Sequence, residues 1–335
     1  MYTDEDLSHA VQVGIFQQQD VARFRAMVAS RQHTSLMDEE HFRLLSGFND
    51  IFVVIAALLL LGCAGWLGGT LWPPLGAVLV AALSWLLAEY FVRQRRMALP
   101  AIVLLGSFVS ASGMAVLLLL DSGLETTMAP AILTAGSAAA ASAWLHWRRF
   151  RVPITVAAAV AVAVITLNAA LLLQWPNLRH SSDLLLLGCG GIAFWLAMRW
   201  DMQDPSRQTR KSDVAFWLHL LAAPLIVHPV FSLLGIQSGE AGSSAMLAVV
   251  LLYLLFGLLS LAVDRRALLV SALAYVLYAF SHLLQDAGLQ GQGFALSGLL
   301  IGSALLLMSA FWQRCRQQLL ARLPATLGAR LPPQA

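Results

Sequence analysis

Residues 214–235 read VAFWLHLLAAPLIVHPVFSLLG, a stretch that is long and apolar enough to cross a lipid bilayer. A membrane-crossing helix needs about 20 mostly apolar residues. This stretch also carries two histidines, His219 and His228, and two prolines, Pro224 and Pro229. Because lipid offers such groups no hydrogen-bond partner, we expect this segment to face protein or water along part of its length.

The composition of the whole chain indicates a membrane protein. The chain has 335 residues, of which 59% are hydrophobic and 12% are charged. Its mean hydropathy is +0.73. A soluble domain of this length carries about 25% charged residues. So little charge cannot cover the surface of a soluble globule, and the apolar excess is predicted to face lipid.

The apolar segments predict an all-α fold, a polytopic transmembrane bundle of about ten helices that occupies residues 49–313. Helices are expected because every backbone group in lipid must be hydrogen-bonded within the protein, and the alternating pattern of a membrane β-barrel is not visible. The predicted spans lie near 51–68, 75–93, 98–120, 128–147, 152–175, 184–200, 214–235, 245–263, 267–285 and 294–312.

The basic residues predict the orientation of this bundle. Of the 21 Lys and Arg residues, all except Arg179 fall on one side of the ten-span arrangement. Such an excess marks the cytoplasmic side, so both termini are predicted to be cytoplasmic. The basic residues stand in twos and threes at the span ends, which indicates the lipid bilayer and not nucleic acid as their partner.

Two short segments flank the bundle. Residues 1–48 are predicted to form a small cytoplasmic helical hairpin, with a second helix near 18–30 and a capping box at Ser35 and Asp38. Residues 314–335 are predicted to be a basic cytoplasmic tail. A segment as small as 1–48 cannot bury much core by itself, so it is a candidate docking site for a protein partner.

Polar side chains inside the spans are the candidates for a binding site. The candidate residues are His228, His282, Asn168, Tyr275 and Tyr278. Tyr275, Tyr278 and His282 repeat at helical spacing and therefore share one helix face. Asn168 and His228 are predicted at similar depth, so a shared pocket facing the bundle interior is expected. His146, beside Trp147 and Arg148, is predicted to lie at the interface.

Three interpretations of this polar set remain open. Each side chain can be satisfied singly by a backbone carbonyl or a neighbouring hydroxyl, or the set can line a solute pathway. Two histidines from separate helices can also ligate haem or a metal, although no spacing motif specifies one and no cofactor is predicted.

Standard catalytic signatures are absent, so no catalytic residue is assigned and a non-enzymatic role is favoured. No acidic residue lies in the middle of a predicted span, which argues against a proton pump driven by a carboxylate.

The N-terminal pattern resembles a family of bacterial membrane proteins known as domain of unknown function 2157. The residues that carry the resemblance are Leu7, Ala10, Val11, Gly14, Ile15, Asp20, Val21 and Phe24, followed by the multi-span region. The resemblance implies a bacterial inner-membrane protein with a small cytoplasmic helical domain, and it implies no catalytic or binding residue.

The leading functional hypothesis is transport or sensing of a small solute. The alternatives are a membrane scaffold that docks a partner through residues 1–48, and a haem- or metal-binding membrane protein.

Overall fold

The structure, a computed structural model, describes residues 7, 10–32, 48–123, 127–204, 209–235, 243–286, 288 and 292–322. These residues form helices and turns and include no β-strand. The chain divides into two compact units between His41 and Phe42. The predicted capping box at Ser35 and Asp38 lies outside the described residues.

The described part of the first unit contains one long helix. Helix α1 covers Gln18–Gln32 and matches the second predicted helix of the N-terminal segment. Before it, residues 10–12 are helical and Gly14 has φ +80°. A left-handed backbone suits glycine, which explains why the preceding helical turn ends there.

The second unit contains the membrane-spanning helices and one amphipathic helix. Their bounds are α2 Phe48–Leu71, α3 Pro73–Ala88, α4 Ala98–Gly123, α5 Met128–Phe150, α6 Ile154–Gln174, α7 Ser182–Asp201, α8 Arg210–Leu233, α9 Ser243–Val263, α10 Ala267–Asp286, α11 Gly293–Ala310 and α12 Trp312–Arg322. A π-helical turn, Glu89–Gln94, continues α3, and a 3₁₀ turn, Pro176–Ser181, precedes α7.

The ten predicted spans are confirmed, because ten helices in the described part of the chain are long and apolar enough to cross a membrane. The bounds shift where a cap changes the local chemistry. Helix α8 begins before its predicted start because Thr209 Oγ1 accepts a hydrogen bond from the backbone N–H of Lys211 at 3.3 Å. Asp204 in turn accepts hydrogen bonds from the backbone N–H and the hydroxyl of Thr209, at 2.8 and 2.7 Å.

Helix α8 is the most deeply buried span, with 50% of its most apolar stretch inside the protein. Its interior face carries Ala223, Val227 and Phe231, all with 0% exposure, and this face packs against α9 and α10. Since the connections between spans are short, consecutive helices run in opposite directions and place alternate helix ends on the same side.

Small residues allow several of these helices to approach closely. A Cβ atom at Gly190 of α7 would lie 2.8 Å from the carbonyl carbon of Leu225 in α8. A Cβ atom at Gly76 of α3 would lie 2.8 Å from the backbone nitrogen of Gly69 in α2. These glycines therefore sit where backbones meet, as small residues do at helix contacts in membranes.

Candidate functional site

The main polar feature of the bundle interior is a buried network of Asp201, His219 and Arg265, which we call the Asp201 network. Asp201 is the last residue of α7, His219 lies in the first half of α8, and Arg265 lies in the turn between α9 and α10. His219 Nε2 is 3.0 Å from Asp201 Oδ2, and Arg265 Nη2 donates to Asp201 Oδ1 at 2.6 Å. Each of the three residues is only 4% exposed.

The turn between α9 and α10 explains why Arg265 points inward. Asp264 has φ 61°, a left-handed conformation that reverses the chain direction. The backbone N–H of Arg265 donates to the Ser260 carbonyl at 3.0 Å, and the Ser260 hydroxyl donates to the Arg265 carbonyl. Arg265 Nη2 also lies 3.4 Å from the Ser212 carbonyl oxygen of α8. The next residue, Arg266, is exposed.

A second buried ionic contact lies beside the first. Asp264 Oδ1 accepts a hydrogen bond from Trp312 Nε1 at 2.7 Å, and Arg316 Nε lies 3.7 Å from the same oxygen. Trp312 and Arg316 are 2% and 1% exposed. The beginning of the predicted basic tail is therefore a helix, α12, anchored to the turn between α9 and α10.

The Asp201 network brings together groups that are costly to bury separately. Removing a charge from water costs several kcal/mol, and a buried charge is tolerated when it is paired and hydrogen-bonded. The carboxylate of Asp201 compensates the guanidinium of Arg265, and His219 supplies a further donor. The ring of His219 also packs edge-on against Phe194, with centroids 5.2 Å apart. The arrangement can hold a proton between an imidazole and a carboxylate, and protonation of Asp201 would weaken its bond to Arg265.

A partly exposed ionic cluster at the ends of α3 and α5 contrasts with this network. Glu89 contacts Arg93 one turn later, with the nearest atoms 3.2 Å apart. Arg149 of α5 donates to both oxygens of Glu89, at 2.6 and 3.1 Å. The Glu89 and Arg149 side chains remain 27% and 42% exposed. Such pairs contribute little to stability because water screens them.

Two of the predicted binding residues are in direct contact. His228 Nδ1 and Tyr275 Oη are 2.6 Å apart, which links α8 to α10. His219 and His228 lie on different faces of α8, since His219 is buried and His228 is exposed.

The other predicted binding residues make contacts of their own. Tyr278 and His282, one turn apart on α10, have ring centroids 6.5 Å apart. Asn168 of α6 is 9% exposed, and its Nδ2 donates to the Val164 carbonyl at 2.9 Å and lies 3.7 Å from Cys189 Sγ. These contacts join Asn168 to its own helix and to Cys189 of α7.

Tyr275 packs against the interior residue Phe231, with ring centroids 4.6 Å apart, but the predicted inward orientation needs correction at His228 and Tyr278. His228 is exposed and Tyr278 is 46% exposed. The interior face of α10 is formed by Ala272, Val276 and Ala279, which are 0 to 2% exposed. Small apolar residues occupy this face because they let α10 approach α8 closely, and Tyr275, Tyr278 and His282 lie beside it on the flank of the helix.

His146 is also placed differently from its predicted interfacial position. It is 0% exposed and lies among the rings of Trp85, Phe108 and Phe150, with centroid distances of 6.5, 6.3 and 4.6 Å. Its Nδ1 is 3.4 Å from Thr155 Oγ1 of α6. Aromatic side chains from α3 and α4, which the local sequence around His146 does not contain, cover this histidine.

Sequence reasoning missed the Asp201 network because none of its members has an unusual local signal. Asp201 ends an apolar span, and Arg265 stands in a basic pair that resembles any topology signal. The one available signal was His219, a histidine in the apolar stretch that precedes Pro224. Its acidic partner lies on the preceding helix, at a distance along the chain that no sequence motif defines.

The part of the chain that the structure describes shows no cluster of side chains suited to bind a metal ion. Within those residues, no group of three or more His, Cys, Asp or Glu side chains is placed to hold a metal ion. A haem or metal site therefore stays an alternative hypothesis, which an absorption spectrum of the purified protein tests.

Comparison with known proteins gives no relative. No family model matches the chain, no curated protein matches it, and no solved structure matches its fold. The function must therefore be argued from the site itself.

Proposed function

We propose that this multi-pass membrane protein transports or senses a small solute, and that the Asp201 network is the proton-binding site to which this process is coupled. The observation that carries the proposal is the burial of a histidine of α8 together with the carboxylate at the end of α7 and a guanidinium from the turn between α9 and α10. Ionisable residues inside membrane segments are rare and commonly mark ion pathways or proton relays.

The chemistry of the three groups favours a proton as the coupling ion. Histidine is the side chain whose charge changes most readily near neutral pH. A proton gained by His219 or Asp201 changes the net charge of a site from which water is nearly excluded. Because Asp201 holds Arg265, this charge change would alter the attachment of the turn between α9 and α10 to α7. The network can thus convert protonation into movement of helices.

Helix α8 offers a physical connection between this network and the predicted binding residues. It carries His219 in its first half and His228 in its second half, with Pro224 between them and Pro229 immediately after. Proline removes a backbone hydrogen bond from a helix and permits it to bend. We propose that bending of α8 couples the Asp201 network to the contact between His228 and Tyr275, where solute would be recognised.

We further propose that the network lies at the cytoplasmic side of a bacterial inner membrane, because nearly all basic residues occupy the same side of the bundle. Reporter fusions test this orientation. Fusions at Arg96, Arg149, Arg207 and Arg265 are expected to report the cytoplasm. Fusions at Gly69, Gly123, Gly239 and Gly288 are expected to report the opposite side. A robust reversal at any of these positions would contradict the orientation.

A proteoliposome assay tests the coupled function. The full-length protein is reconstituted with the pH-sensitive dye pyranine inside, and amino acids, organic acids and sugars are added outside one at a time. We expect one solute class to change the internal pH with the wild-type protein, because its movement carries protons. We expect His219→Gln to abolish this change, since glutamine keeps a hydrogen-bonding side chain but cannot accept a proton near neutral pH.

His146→Gln is the matched control for that assay. His146 is also buried, but it packs against aromatic rings and Thr155 instead of a carboxylate. It should retain solute-dependent proton movement if it remains folded. Equal activity of the His219→Gln variant and the wild-type protein would argue against the proposal, as would a panel that produces no pH change.

A second candidate function, docking of a protein partner, is favoured by the first unit. Five large apolar side chains there are 45 to 68% exposed: Val13, Ile15, Phe16, Phe24 and Met27. Contiguous exposed apolar side chains commonly mark interaction sites. Replacing Phe24 with serine should then lower the amount of partner protein that co-purifies, without changing membrane insertion. An unchanged amount would exclude Phe24 as part of a docking surface.

A further inference from the structure

We propose that a groove formed by α9, α10 and α11 binds one anionic phospholipid, with an acyl chain inside the groove and the phosphate at Arg266. The proposal concerns a surface separate from the interior of the Asp201 network. It rests on the shape, the lining and the charge of the groove.

The part of the groove away from Arg266 is an apolar cavity of about 540 Å³. Helix α10 contributes Val276 and Phe280, while α9 and α11 contribute Leu258 and Ile301 among others. The three helices are consecutive. Helix α11 is the least buried of the ten spans, with 11% of its most apolar stretch inside the protein. A groove with such walls accommodates a hydrocarbon chain, and it offers a polar solute very few hydrogen-bonding groups.

A second cavity of about 190 Å³ extends the groove towards the end of the bundle that carries Arg265. It shares Leu269, Leu305 and Met308 with the first cavity. Along α10, the combined lining extends from Phe280 to Arg266, which corresponds to about 20 Å at a rise of about 1.5 Å per residue. One leaflet of a bilayer core is about 15 Å deep, so the groove is long enough for an acyl chain to lie along it.

The charged end of the groove fits a phosphate group. Arg266 lines the second cavity and is exposed, with its guanidinium 4.9 Å from the centre of the Trp312 ring. This ring contact orients the guanidinium, whose planar donors can bind phosphate oxygens in pairs. Arg314 of α12 is exposed as well, while Arg265 and Arg316 contact buried carboxylates.

The combination of an arginine above an apolar groove identifies an amphiphile with a negative headgroup as the occupant. Basic pockets between membrane helices on the cytoplasmic side are suited to anionic lipid headgroups. A second copy of the chain would cover the apolar walls but would gain nothing from the arginine at their end. We therefore assign the groove to an anionic phospholipid.

Lipid binding to the purified full-length protein tests the assignment. Native mass spectrometry in detergent would count bound dioleoyl-phosphatidylglycerol and dioleoyl-phosphatidylcholine at equal concentrations. We expect one tightly bound phosphatidylglycerol and markedly weaker binding of phosphatidylcholine. Arg266→Gln should weaken phosphatidylglycerol binding about tenfold, because one charge-assisted contact is lost.

Two further variants separate the contributions of the headgroup and the groove. Arg148→Gln is the matched control, since Arg148 is also exposed and also lies 4.9 Å from a tryptophan ring, that of Trp144, but lines neither cavity. It should bind phosphatidylglycerol like the wild-type protein. Gly257→Phe should reduce binding by filling the groove, because a Cβ atom at Gly257 meets only Leu269 Cδ2, at 3.5 Å.

Four outcomes would overturn the proposal. These are equal binding of the two lipids, unchanged binding by Arg266→Gln, an equal loss in Arg148→Gln, and unchanged binding by a folded Gly257→Phe variant. A stable dimer that binds no phosphatidylglycerol would identify a second copy as the occupant and would also overturn it. None of these results depends on solute-dependent proton movement, so the lipid site and the proposed function can fail separately.

Discussion

Replacing Asp201 with alanine is expected to lower the free energy of unfolding by about 3–5 kcal/mol. The substitution leaves the guanidinium of Arg265 buried, at 4% exposure, without the carboxylate that lies 2.6 Å from it. It also removes the group that His219 contacts at 3.0 Å. A buried charge that has lost its partner is far more costly than the pair was worth, which is the reason for the large effect.

Unfolding in mixed detergent micelles, followed by tryptophan fluorescence, would measure this change. Glu89→Ala is the matched control, because Glu89 is also an acidic residue in contact with two basic side chains near a helix end, Arg93 and Arg149. Its carboxylate is partly exposed, so we expect a loss of less than about 1 kcal/mol. Comparable losses in the two variants would contradict the assignment of a buried charge network.

The double variant Asp201→Asn with Arg265→Gln should recover most of the lost stability. It removes both charges together and leaves amide groups that can hydrogen-bond to one another and to His219. Replacing both members of a buried pair is commonly close to neutral, whereas removing one member is not. The double variant therefore provides a folded protein in which the charges of Asp201 and Arg265 are removed.

The second large effect is expected from Gly190→Val, which should lower the free energy of unfolding by about 2–3 kcal/mol. The added Cβ atom would lie 2.8 Å from the carbonyl carbon of Leu225 and 2.9 Å from its oxygen. Because these are backbone atoms, α7 and α8 have to separate along their length. The same unfolding assay measures the change.

Gly188 and Gly191 provide controls from the same small-residue segment of α7. A Cβ atom at either position would meet nothing within 4 Å among the described residues. Gly188→Val and Gly191→Val should therefore be nearly neutral, because no neighbour has to move. If all three variants were equally destabilised, the close contact between α7 and α8 at Gly190 would not be the cause.

The ten spans could be predicted because each one depends only on its own length and composition. Residues 214–235 needed no knowledge of their neighbours to be recognised as a membrane helix, and the observed Arg210–Leu233 differs only at its ends. The shift at the start comes from Thr209 and Asp204, whose hydrogen bonds extend the helix into polar sequence.

The faces of the helices were harder to predict. Periodicity placed Tyr275, Tyr278 and His282 on one side of α10 correctly, but it could not tell whether that side faces the bundle interior. Polar residues are expected inside because lipid offers them no partner. The structure instead buries Ala272 and Ala279 in the interior, since close packing of helices requires small side chains.

The Asp201 network could not be predicted because it depends on backbone geometry. Arg265 and Arg266 are chemically identical neighbours, yet one is buried and the other is exposed. The left-handed backbone of Asp264 and the hydrogen bonds to Ser260 determine which arginine points inward. Neither feature has a sequence pattern that distinguishes it from an ordinary basic turn.

The central claim is that the Asp201 network binds the proton that is coupled to solute transport or sensing, and one measurement tests it most directly. The double variant Asp201→Asn with Arg265→Gln is reconstituted with internal pyranine beside the wild-type protein, at matched amounts of folded protein. We predict that the solute that changes the internal pH with the wild-type protein has no such effect with the double variant, although its stability is close to normal. Solute-dependent proton movement at the wild-type rate in the double variant would show that the charged pair of Asp201 and Arg265 only stabilises the fold and would contradict the claim.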